Sequence, residues 1–426
     1  MEKISIIRTN SSVYQLAIMF LVLLLLAFFG LKIIHYKSLD YVFLSIILIM
    51  AIPAIQVKGT YPYLIIGYCI FVLLSCLYSW RFNEQGLITV IGHSYNYFAL
   101  LFFFVLLWTN LSSKEAEDLF VKIALCFCFC YILQYIISPT VLFSGADDEN
   151  KMNALKYRVR MPGSISGYFL LLYAINKYLL GEKRKRNKYI FYAVIAFIPI
   201  IIQGFRSLVI LTLMAGFLII PFVLRSGKKT LVYSILGAVS VLFAASTPLV
   251  QTKVDEMVAR QERRETFDND NYIRYLSFDY YWNEQFTKPY EKVIGGGVPS
   301  DISTTYYKKI REVRNRYAFY WVDLGIVGLS MIIGMPAVIL LVFMYLYCMW
   351  KCKEPRLQYI RFTLFVVLFG SILTSMELYR DGNILLFSLF LYIEYKYHAE
   401  QKFVEKLKKL NYSVRKSKQK AYHDRY

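Results

Sequence analysis

Three arginines occupy positions at which a guanidinium group could bind phosphate. Arg160 opens the sequence Arg-Met-Pro-Gly, Arg206 lies in Gly-Phe-Arg-Ser, and Arg274 lies in Asn-Tyr-Ile-Arg-Tyr. A guanidinium presents paired N–H donors that match phosphate oxygens, and it keeps its charge at physiological pH. Arg160 and Arg206 also begin long apolar runs, where charged groups are costly and usually functional. We therefore expect an anion-binding role, with snorkelling at a membrane interface as the alternative for these two residues.

The elements that must position these arginines are membrane helices. The 426-residue chain is 57% hydrophobic and only 18% charged, which lies outside soluble globular usage. Apolar runs of bilayer-crossing length recur along it, and they predict an all-α, polytopic membrane protein with about twelve helices. The predicted spans are residues 13–34, 41–56, 62–80, 88–109, 119–138, 164–180, 189–204, 207–224, 230–249, 324–350, 357–375 and 383–397.

The short basic loops predict the orientation of these helices. Residues 181–188 hold five basic residues against one acid, and residues 225–229 hold three basic residues and no acid. The segment from Lys396 onwards carries ten Lys or Arg against three acids. Residues 351–356 hold three basic residues against one acid. These four segments and the N-terminus lie on one side of the twelve-span layout, and Lys and Arg favour the cytoplasmic side. Both termini are therefore predicted to be cytoplasmic.

A long polar stretch, residues 250–316, falls on the opposite, outer side. It contains twelve Lys or Arg and eleven Asp or Glu, so it is nearly neutral in a chain of net charge +20. The predicted organisation is nine helices over 1–249, this large, partly helical outer loop over 250–316, three helices over 317–397, and a basic cytoplasmic tail over 398–426. The tail is predicted to lie against anionic membrane lipid, and no nucleic-acid partner is expected.

Metal and cofactor chemistry find little support in the sequence. Cys126, Cys128 and Cys130 are spaced so that a helix points them to different sides, which makes no closed metal site. The four histidines are scattered, and the acidic pair Asp268 and Asp270 has no nucleotide-binding fold around it. We expect no metal and no cofactor. The short connection 203–206 keeps Arg206 near the outer surface, where a polyprenyl diphosphate is the natural anion.

Several short motifs occur in an order that resembles one known family. They are Arg160-x-x-Gly163, Gly204-x-Arg206-Ser207, Arg274 followed by Pro289 and Gly295-Gly296-Gly297, and Asn315 ahead of Asp323-Leu-Gly325-Ile-Val-Gly328. This ordered set, from about residue 158 to 330, resembles the bacterial O-antigen ligase and O-antigen polymerase (Wzy-type) superfamily. The resemblance implies a metal-independent membrane glycosyltransferase with an undecaprenyl-diphosphate-linked glycan as donor. It also implies a glycan acceptor, and a chain-length regulator protein is a candidate partner.

The resemblance also implies roles for individual residues. Arg206 and Arg274 would hold the diphosphate and stabilise the leaving group during catalysis. The predicted substrate-binding residues are Arg160, Arg314, Asn315 and Gly296. Within the glycine run, Gly296 would let backbone approach the substrate, or form a sharp turn.

The resemblance leaves the general base unassigned. In ligases a histidine precedes the asparagine that aligns with Asn315, whereas this chain has Arg314, which cannot accept a proton. This difference favours a polymerase over a ligase. Glu377 is the first candidate for the general base and Asp323 the second, although Glu377 could instead pair with Arg380 at i+3.

Two further classes of protein remain as alternatives. A twelve-span transporter, such as a flippase for lipid-linked glycans, would also explain the span number and the arginines. It would be expected to show two related halves, and the sequence shows none. A transferase that uses polyprenyl-monophosphate sugars would favour acidic residues in the first outer loop, which offers only Asp40.

Overall fold

The computed structural model describes residues 11–31, 42, 45–49, 51–52, 56–138, 140–143, 161–181, 183–203, 206–246, 251, 273–286, 288–373 and 382–423. The helices before residue 250 are α1 (Ser11–Leu25), a short turn at Ala27–Gly30, α2 (Thr60–Phe82), α3 (Leu87–His93), α4 (Tyr95–Thr109), α5 (Ser113–Ile136), α6 (Ile165–Leu179), α7 (Arg186–Ile202), α8 (Arg206–Leu224) and α9 (Gly227–Ala245). Those after residue 250 are α10 (Ile273–Asp279), a π-helical segment (Tyr280–Gln285), α11 (Pro289–Ile294), α12 (Thr305–Tyr317), α13 (Gly325–Ile333), α14 (Met335–Lys351), α15 (Gln358–Leu373) and α16 (Asn383–His423). Short 3-10 helices cover Lys183–Lys185, Trp321–Leu324 and Pro355–Leu357.

The predicted all-α class is confirmed. The described residues are overwhelmingly helical and include no β-strand. Within the described part of the chain, three helical segments are long and apolar enough to cross a membrane, namely α2, α5 and Ser207–Leu224 of α8. The number rises to five if two bent pairs are each counted as one span: α3 with α4, and α12 with Trp321–Ile333. The fold is thus consistent with a helical membrane protein, while the twelve-span layout stays a prediction.

Helix α6 forms the centre of the bundle. It packs against α5, α7, α8 and α15, and nearly all of its residues are buried. Gly167 faces α7, and a Cβ atom built there would lie 3.7 Å from Ile200, an ordinary van der Waals distance. On another face, the ring of Phe169 stacks on Phe120 of α5 with centroids 4.0 Å apart. A small residue and a large aromatic ring therefore lie at two of the central contacts.

Two predicted spans are interrupted in the structure. The predicted helix 88–109 bends by 60° at Ser94, between α3 and α4. Buried Ser94 accepts a hydrogen bond from Cys76 Sγ, so the bend occurs where a polar side chain has a partner on α2. The predicted helix 324–350 breaks at Gly334, which has φ of +89° and separates α13 from α14. Hydropathy alone does not reveal either interruption, since both segments remain apolar.

The last helix is longer than its predicted span. The sequence predicted a membrane helix over 383–397 followed by a separate tail, but α16 runs without interruption from Asn383 to His423. The segment from Glu394 onwards contains no proline or glycine and is rich in residues that favour helix. Near the middle of α16, Glu400 accepts hydrogen bonds from the backbone N–H and the hydroxyl of Ser113, at 2.9 and 2.6 Å. This contact joins α16 to the first turn of α5.

Candidate functional site

The described part of residues 250–316, called the outer segment after its predicted position, has a small hydrophobic core of its own. Tyr280, Tyr281, Phe286 and Val313 pack there with Met331 of α13. The hydroxyl of Tyr281 donates a hydrogen bond to the carbonyl of Phe319 at 3.1 Å. Helix α10 and the turn Trp321–Leu324 are also in contact. The segment is therefore a packed structure attached to the bundle, and α13 is the point of attachment.

The glycine run fills the break between α13 and α14. The backbone N–H of Gly296 donates to the Met331 carbonyl at 2.8 Å, and that of Gly297 donates to the Ile332 carbonyl at 2.9 Å. The hydroxyl of Ser75 on α2 donates a second hydrogen bond to the Ile332 carbonyl. A broken helix in an apolar setting is tolerated when neighbouring groups satisfy its freed carbonyls. The outer segment supplies those groups here.

Gly296 has a packing position in the structure. It is buried, its N–H bonds to Met331, and its carbonyl accepts a hydrogen bond from Asn83 Nδ2 at 2.8 Å. A Cβ atom at this position would lie 2.6 Å from Tyr306 Oη and 2.7 Å from Phe286. The predicted approach of this backbone to a substrate does not fit that geometry, because both of its polar groups are bonded inside the protein.

Gln85 joins the outer segment to the end of α2. Its Oε1 accepts hydrogen bonds from the N–H groups of Ser300 and Asp301, at 2.7 and 3.1 Å, and from the Ser300 hydroxyl at 3.2 Å. Its Nε2 donates to the carbonyl of Val298 at 3.1 Å and to Ser79 Oγ at 2.6 Å. Gln85 is only 1% exposed. One buried side chain thus fixes the course of residues 298–301.

Asp301 adds a charged contact at the same junction. Its carboxylate accepts hydrogen bonds from the side chain and backbone of Ser303 and from the backbone N–H of Gly86. These bonds, first that from the Ser303 hydroxyl, hold the pKa of Asp301 below its ordinary value. The carboxylate is therefore charged at neutral pH and serves this turn as an acceptor of hydrogen bonds.

A cavity of about 240 Å³ opens beside this junction. Its lining residues are Tyr281, Val298, Pro299, Tyr307, Ile310, Arg311, Arg314, Phe319, Tyr320, Trp321 and Val322. Tyr281 and Ile310 are buried, whereas Arg311, Arg314 and Tyr320 are exposed. The cavity thus combines an aromatic and aliphatic interior with two guanidinium groups at its opening. Gln85 holds the Val298–Pro299 wall of this cavity in place.

The two cavity arginines carry charge that the described residues do not neutralise. Arg311 and Arg314 are three residues apart on α12, so they share one helix face. Within the described chain, no carboxylate lies within salt-bridge distance of either. Nearby, Arg316 pairs with Glu312 at 3.4 Å, and both side chains are exposed. The positive charge at the cavity opening is therefore free to attract an anion.

The buried phenol beside these arginines stays protonated. Burial, and next the neighbouring Tyr280, raise the pKa of Tyr281 to about 12, against the opposing effects of a backbone hydrogen bond with Trp321 and of the charge on Arg314. At neutral pH Tyr281 is accordingly a hydrogen-bond donor with an uncharged ring. Together with Tyr307, Tyr320 and Trp321 it gives the cavity aromatic faces, on which a sugar ring could stack.

The structure places some of the predicted site residues at this cavity and separates others from it. Arg314 lines it, while the adjacent Asn315 is exposed and does not. Arg274 lies on α10, which packs against Trp321–Leu324, and this residue takes part in an interaction within the protein. Asp323, the second candidate for the base, is exposed one residue after the cavity-lining Val322.

The other predicted residues are described only in part. Arg160 and Glu377 lie outside the described residues, as does the side chain of Arg206. The backbone of Arg206 begins α8, and two residues later Leu208 packs against Gly370 of α15. The carbonyl of the next residue, Ser371, lies against Gly325 at the start of α13. The first turn of α8 is thus at the same end of the bundle as the turn that lines the cavity.

Arg311 and Gln85 were not among the predicted site residues. A signal for Arg311 is present in the sequence, because Tyr307, Arg311 and Arg314 follow the i, i+4, i+7 spacing of one helix face. The aromatic run Tyr-Ala-Phe-Tyr-Trp over 317–321 is a second signal. Gln85 has no comparable signal, since its partners are more than 200 residues away in the chain.

The described residues contain no group of three or more His, Cys, Asp or Glu side chains that could hold a metal ion. The comparison with known proteins gives no relative from which a function could be carried over to this chain. No family model matches the chain, and no curated protein sequence matches it. The class that the fold defines is a helical protein with apolar spans of membrane-crossing length.

Proposed function

We propose that the chain is a multi-pass membrane glycosyltransferase that polymerises undecaprenyl-diphosphate-linked oligosaccharide units. The observation that carries the proposal is the cavity, in which Arg311 and Arg314 lie at the opening of an aromatic interior. Aromatic faces suit sugar rings, and guanidinium groups that have no carboxylate partner among the described residues suit phosphate oxygens. The attachment of this cavity to a bundle with apolar spans suits a substrate that is itself anchored in a membrane.

The reaction that suits this arrangement is a displacement at an anomeric carbon. A hydroxyl group of the acceptor glycan attacks that carbon, the bond to the diphosphate breaks, and undecaprenyl diphosphate departs. Arg206 and Arg274 would hold the diphosphate and stabilise its growing negative charge, as the family resemblance implies. The hydroxyl proton passes to a carboxylate, for which Glu377 and then Asp323 are the candidates. Most of the rate gain would come from positioning and electrostatic stabilisation.

A polymerase fits the cavity better than a ligase does. Arg314 occupies the place where ligases have histidine, and its guanidinium lines the cavity as a permanent cation. It can bind an anion but cannot accept a proton. The site we propose is on the outer face of an inner membrane, with both termini in the cytoplasm and twelve spans between them, and it needs no metal.

The broken helix at Gly334 favours a transporter as the second candidate function. Discontinuous membrane helices often bind transported substrates or ions through the carbonyls at their break. Here, however, the carbonyls of Met331 and Ile332 already accept hydrogen bonds from Gly296, Gly297 and Ser75. The break is thus used for attachment of the outer segment, which makes it a weaker indication of transport.

The decisive experiment measures chain extension by the purified protein in lipid nanodiscs, without any ion gradient. The substrate is an undecaprenyl-diphosphate-linked oligosaccharide, and products are separated by length. Replacing Arg311 and Arg314 together by alanine removes two charge-assisted contacts of about 1.5–3 kcal/mol each, so we expect kcat/KM to fall by at least about a hundredfold. Arg316→Ala is the matched control, because Arg316 lies on the same helix, is exposed and pairs with Glu312. Equal extension by the double variant and the control would sink the proposal, as would translocation without extension.

The arginines assigned by resemblance need their own experiment. Arg206→Ala and Arg274→Ala are each expected to shorten or abolish the polymer ladder on the cell surface, because the leaving diphosphate loses its counter-charge. Protein levels in the membrane must be measured in parallel. Normal ladders at normal protein levels would remove Arg206 or Arg274 from the proposed mechanism.

A further inference from the structure

The end of α16 exposes a row of large apolar side chains. Phe403, Leu407 and Leu410 are 61%, 43% and 60% exposed, and together they are called the tail stripe below. Their spacing of four and three residues places them on one face of the helix. Every residue from Gln401 to Tyr412 is exposed, whereas the preceding part of α16 is packed in the bundle. A helix with such a face gains most of its stability by burying that face against another element.

Basic side chains flank the tail stripe. Lys402, Lys406, Lys408 and Lys409 are set against a single acid, Glu405, over residues 401–412. By helical position, Lys402, Lys406 and Lys409 lie along one side of the stripe, whereas Val404 and Asn411 lie along the other, with Lys408 beyond them. An apolar row with a cationic border is complementary to a surface that is apolar with an acidic edge.

The anchoring of α16 argues against a bilayer as that surface. Lys396 bonds to Asn110 and Glu400 bonds to Ser113. These bonds fix α16 to the polar end of the bundle, at the connection between α4 and α5. Leu407 lies eleven residues after Lys396, or about 16 Å along the helix, and about 13 Å along the membrane normal at a tilt of 40°. The interfacial layer of a bilayer is only about 5–7 Å thick on each side. With Lys396 at the edge of the hydrocarbon core, as the proposed topology places it, the tail stripe therefore lies beyond the lipid.

A second copy of this chain is also a poor match for the tail stripe. Two such helices side by side would bring eight lysines of residues 401–412 together with only two acids. Like charges at such a contact are unfavourable, and they select against self-pairing.

We propose that the tail stripe binds an acidic amphipathic helix of a partner protein on the cytoplasmic side. Apolar residues of the partner would cover Phe403, Leu407 and Leu410, and its carboxylates would pair with the flanking lysines. The inference rests on the topology in the proposed function but not on the reaction. It replaces the lipid contact that composition alone predicted for this segment with a protein contact.

The experiment places a photo-crosslinking amino acid at Leu407 of the full-length protein in its native cells. The matched control carries the same amino acid at Glu405, which points away from the tail stripe. We expect the Leu407 position, and not the Glu405 position, to yield a protein adduct whose crosslinked peptide is acidic and amphipathic. A synthetic peptide of that sequence should then bind the purified protein in uncharged nanodiscs, and binding should weaken as salt rises. Lys406→Glu together with Lys409→Glu should abolish both signals.

Each other outcome overturns the proposal. An adduct to phospholipid would show that the tail stripe lies on the bilayer, and an adduct to a second copy would show self-association. Equal yields from Leu407 and Glu405 would show that the stripe has no specific partner. The chain-extension assay uses purified protein without a partner, so failure of the glycosyltransferase proposal and failure of this one are separate results.

Discussion

At Gly296 the space beside the Cα atom is too small for a side chain. A methyl group there would meet Tyr306 Oη at 2.6 Å and Phe286 at 2.7 Å. Both side chains are buried, and Phe286 belongs to the small core of the outer segment. Overpacking of this kind costs about 1–3 kcal/mol. We expect Gly296→Ala to lower the free energy of unfolding of the purified protein by that amount. The measurement is denaturant unfolding in detergent, in which the midpoint should move to a lower denaturant concentration.

The matched control for this substitution is Gly227→Ala. No atom lies within 4 Å of a Cβ built at Gly227, at the start of α9, so its unfolding midpoint should stay close to that of the wild type. Equal midpoints for the two alanine variants would contradict the packing role of Gly296.

Single residues of the candidate site could be predicted only where the sequence itself carries their periodicity or motif. Arg314 was predicted and lines the cavity, but Asn315, predicted with it, does not, because neighbours on a helix point about 100° apart. Arg311 lies on the same helix face as Arg314, but it is not part of any of the ordered motifs, so only the helical periodicity of α12 indicates it. The glycine run predicts a turn or a close approach at Gly296. It does not predict the hydrogen-bond partners Met331 and Asn83, because they are distant in sequence.

At the scale of elements, the cavity depends on a contact between the end of α2 and the outer segment. Gln85 makes this contact with both atoms of its amide, and Val298 and Pro299 form a cavity wall just before the bonded Ser300. Gln85→Glu keeps the shape of the side chain but replaces the donor nitrogen by an oxygen. That oxygen would face the carbonyl of Val298, and an unsatisfied buried group costs about 1–3 kcal/mol.

We expect Gln85→Glu to raise KM for the lipid-linked glycan more than it lowers kcat, because the wall of the binding cavity shifts while the reacting groups remain. Chain-extension kinetics in nanodiscs provide the measurement. Glu84→Gln is the control, since Glu84 is the exposed neighbour in the same turn. A fall in kcat alone, or no difference from the control, would contradict the role of Gln85 as a positioning residue.

The interruptions of helices show why the elements were only partly predictable. Hydropathy identifies apolar segments, and α2, α5 and α8 have that character in the structure. The same measure joined α13 to α14, because the break at Gly334 changes direction without changing composition. The break is stable since residues 295–297 bond to its carbonyls, and that contact joins parts of the chain that no local pattern connects.

At the scale of the whole molecule, a buried charge cluster joins three parts of the bundle. Glu117 of α5 forms ion pairs with Lys177 of α6 and with Arg356, and the side chains of Glu117 and Lys177 are almost completely buried. Removing one partner of a buried pair leaves an uncompensated charge and costs about 3–5 kcal/mol. We expect Glu117→Gln to lower unfolding stability in detergent by about this amount. Asp118→Asn, at an exposed neighbouring position, should have almost no effect. Similar losses in the two variants would contradict the importance of the cluster.

The contacts between connections predict which of them share a side of the membrane. Gln85 bonds to Ser300, so the turn 83–86 and the segment 298–301 must lie at one end of the bundle. At other connections, Asn176 Nδ2 bonds to the Pro355 carbonyl and His398 contacts the Lys351 carbonyl, which groups the ends of α6 and α14 with the middle of α16. This second group contains the basic loops, which favour the cytoplasmic side. The two groups should therefore lie on opposite sides.

Cysteine labelling in intact cells tests this arrangement. In a chain whose seven native cysteines are replaced, Glu84→Cys and Ile302→Cys should react with an impermeant maleimide added outside. Lys228→Cys and Lys353→Cys should react only after permeabilisation, because they lie in the basic loops; all four positions are exposed in the structure. Labelling of Glu84→Cys and Ile302→Cys from opposite sides would contradict the Gln85 contact. Labelling of both only from inside would place the cavity in the cytoplasm, where a polymerase of exported glycans could not use it.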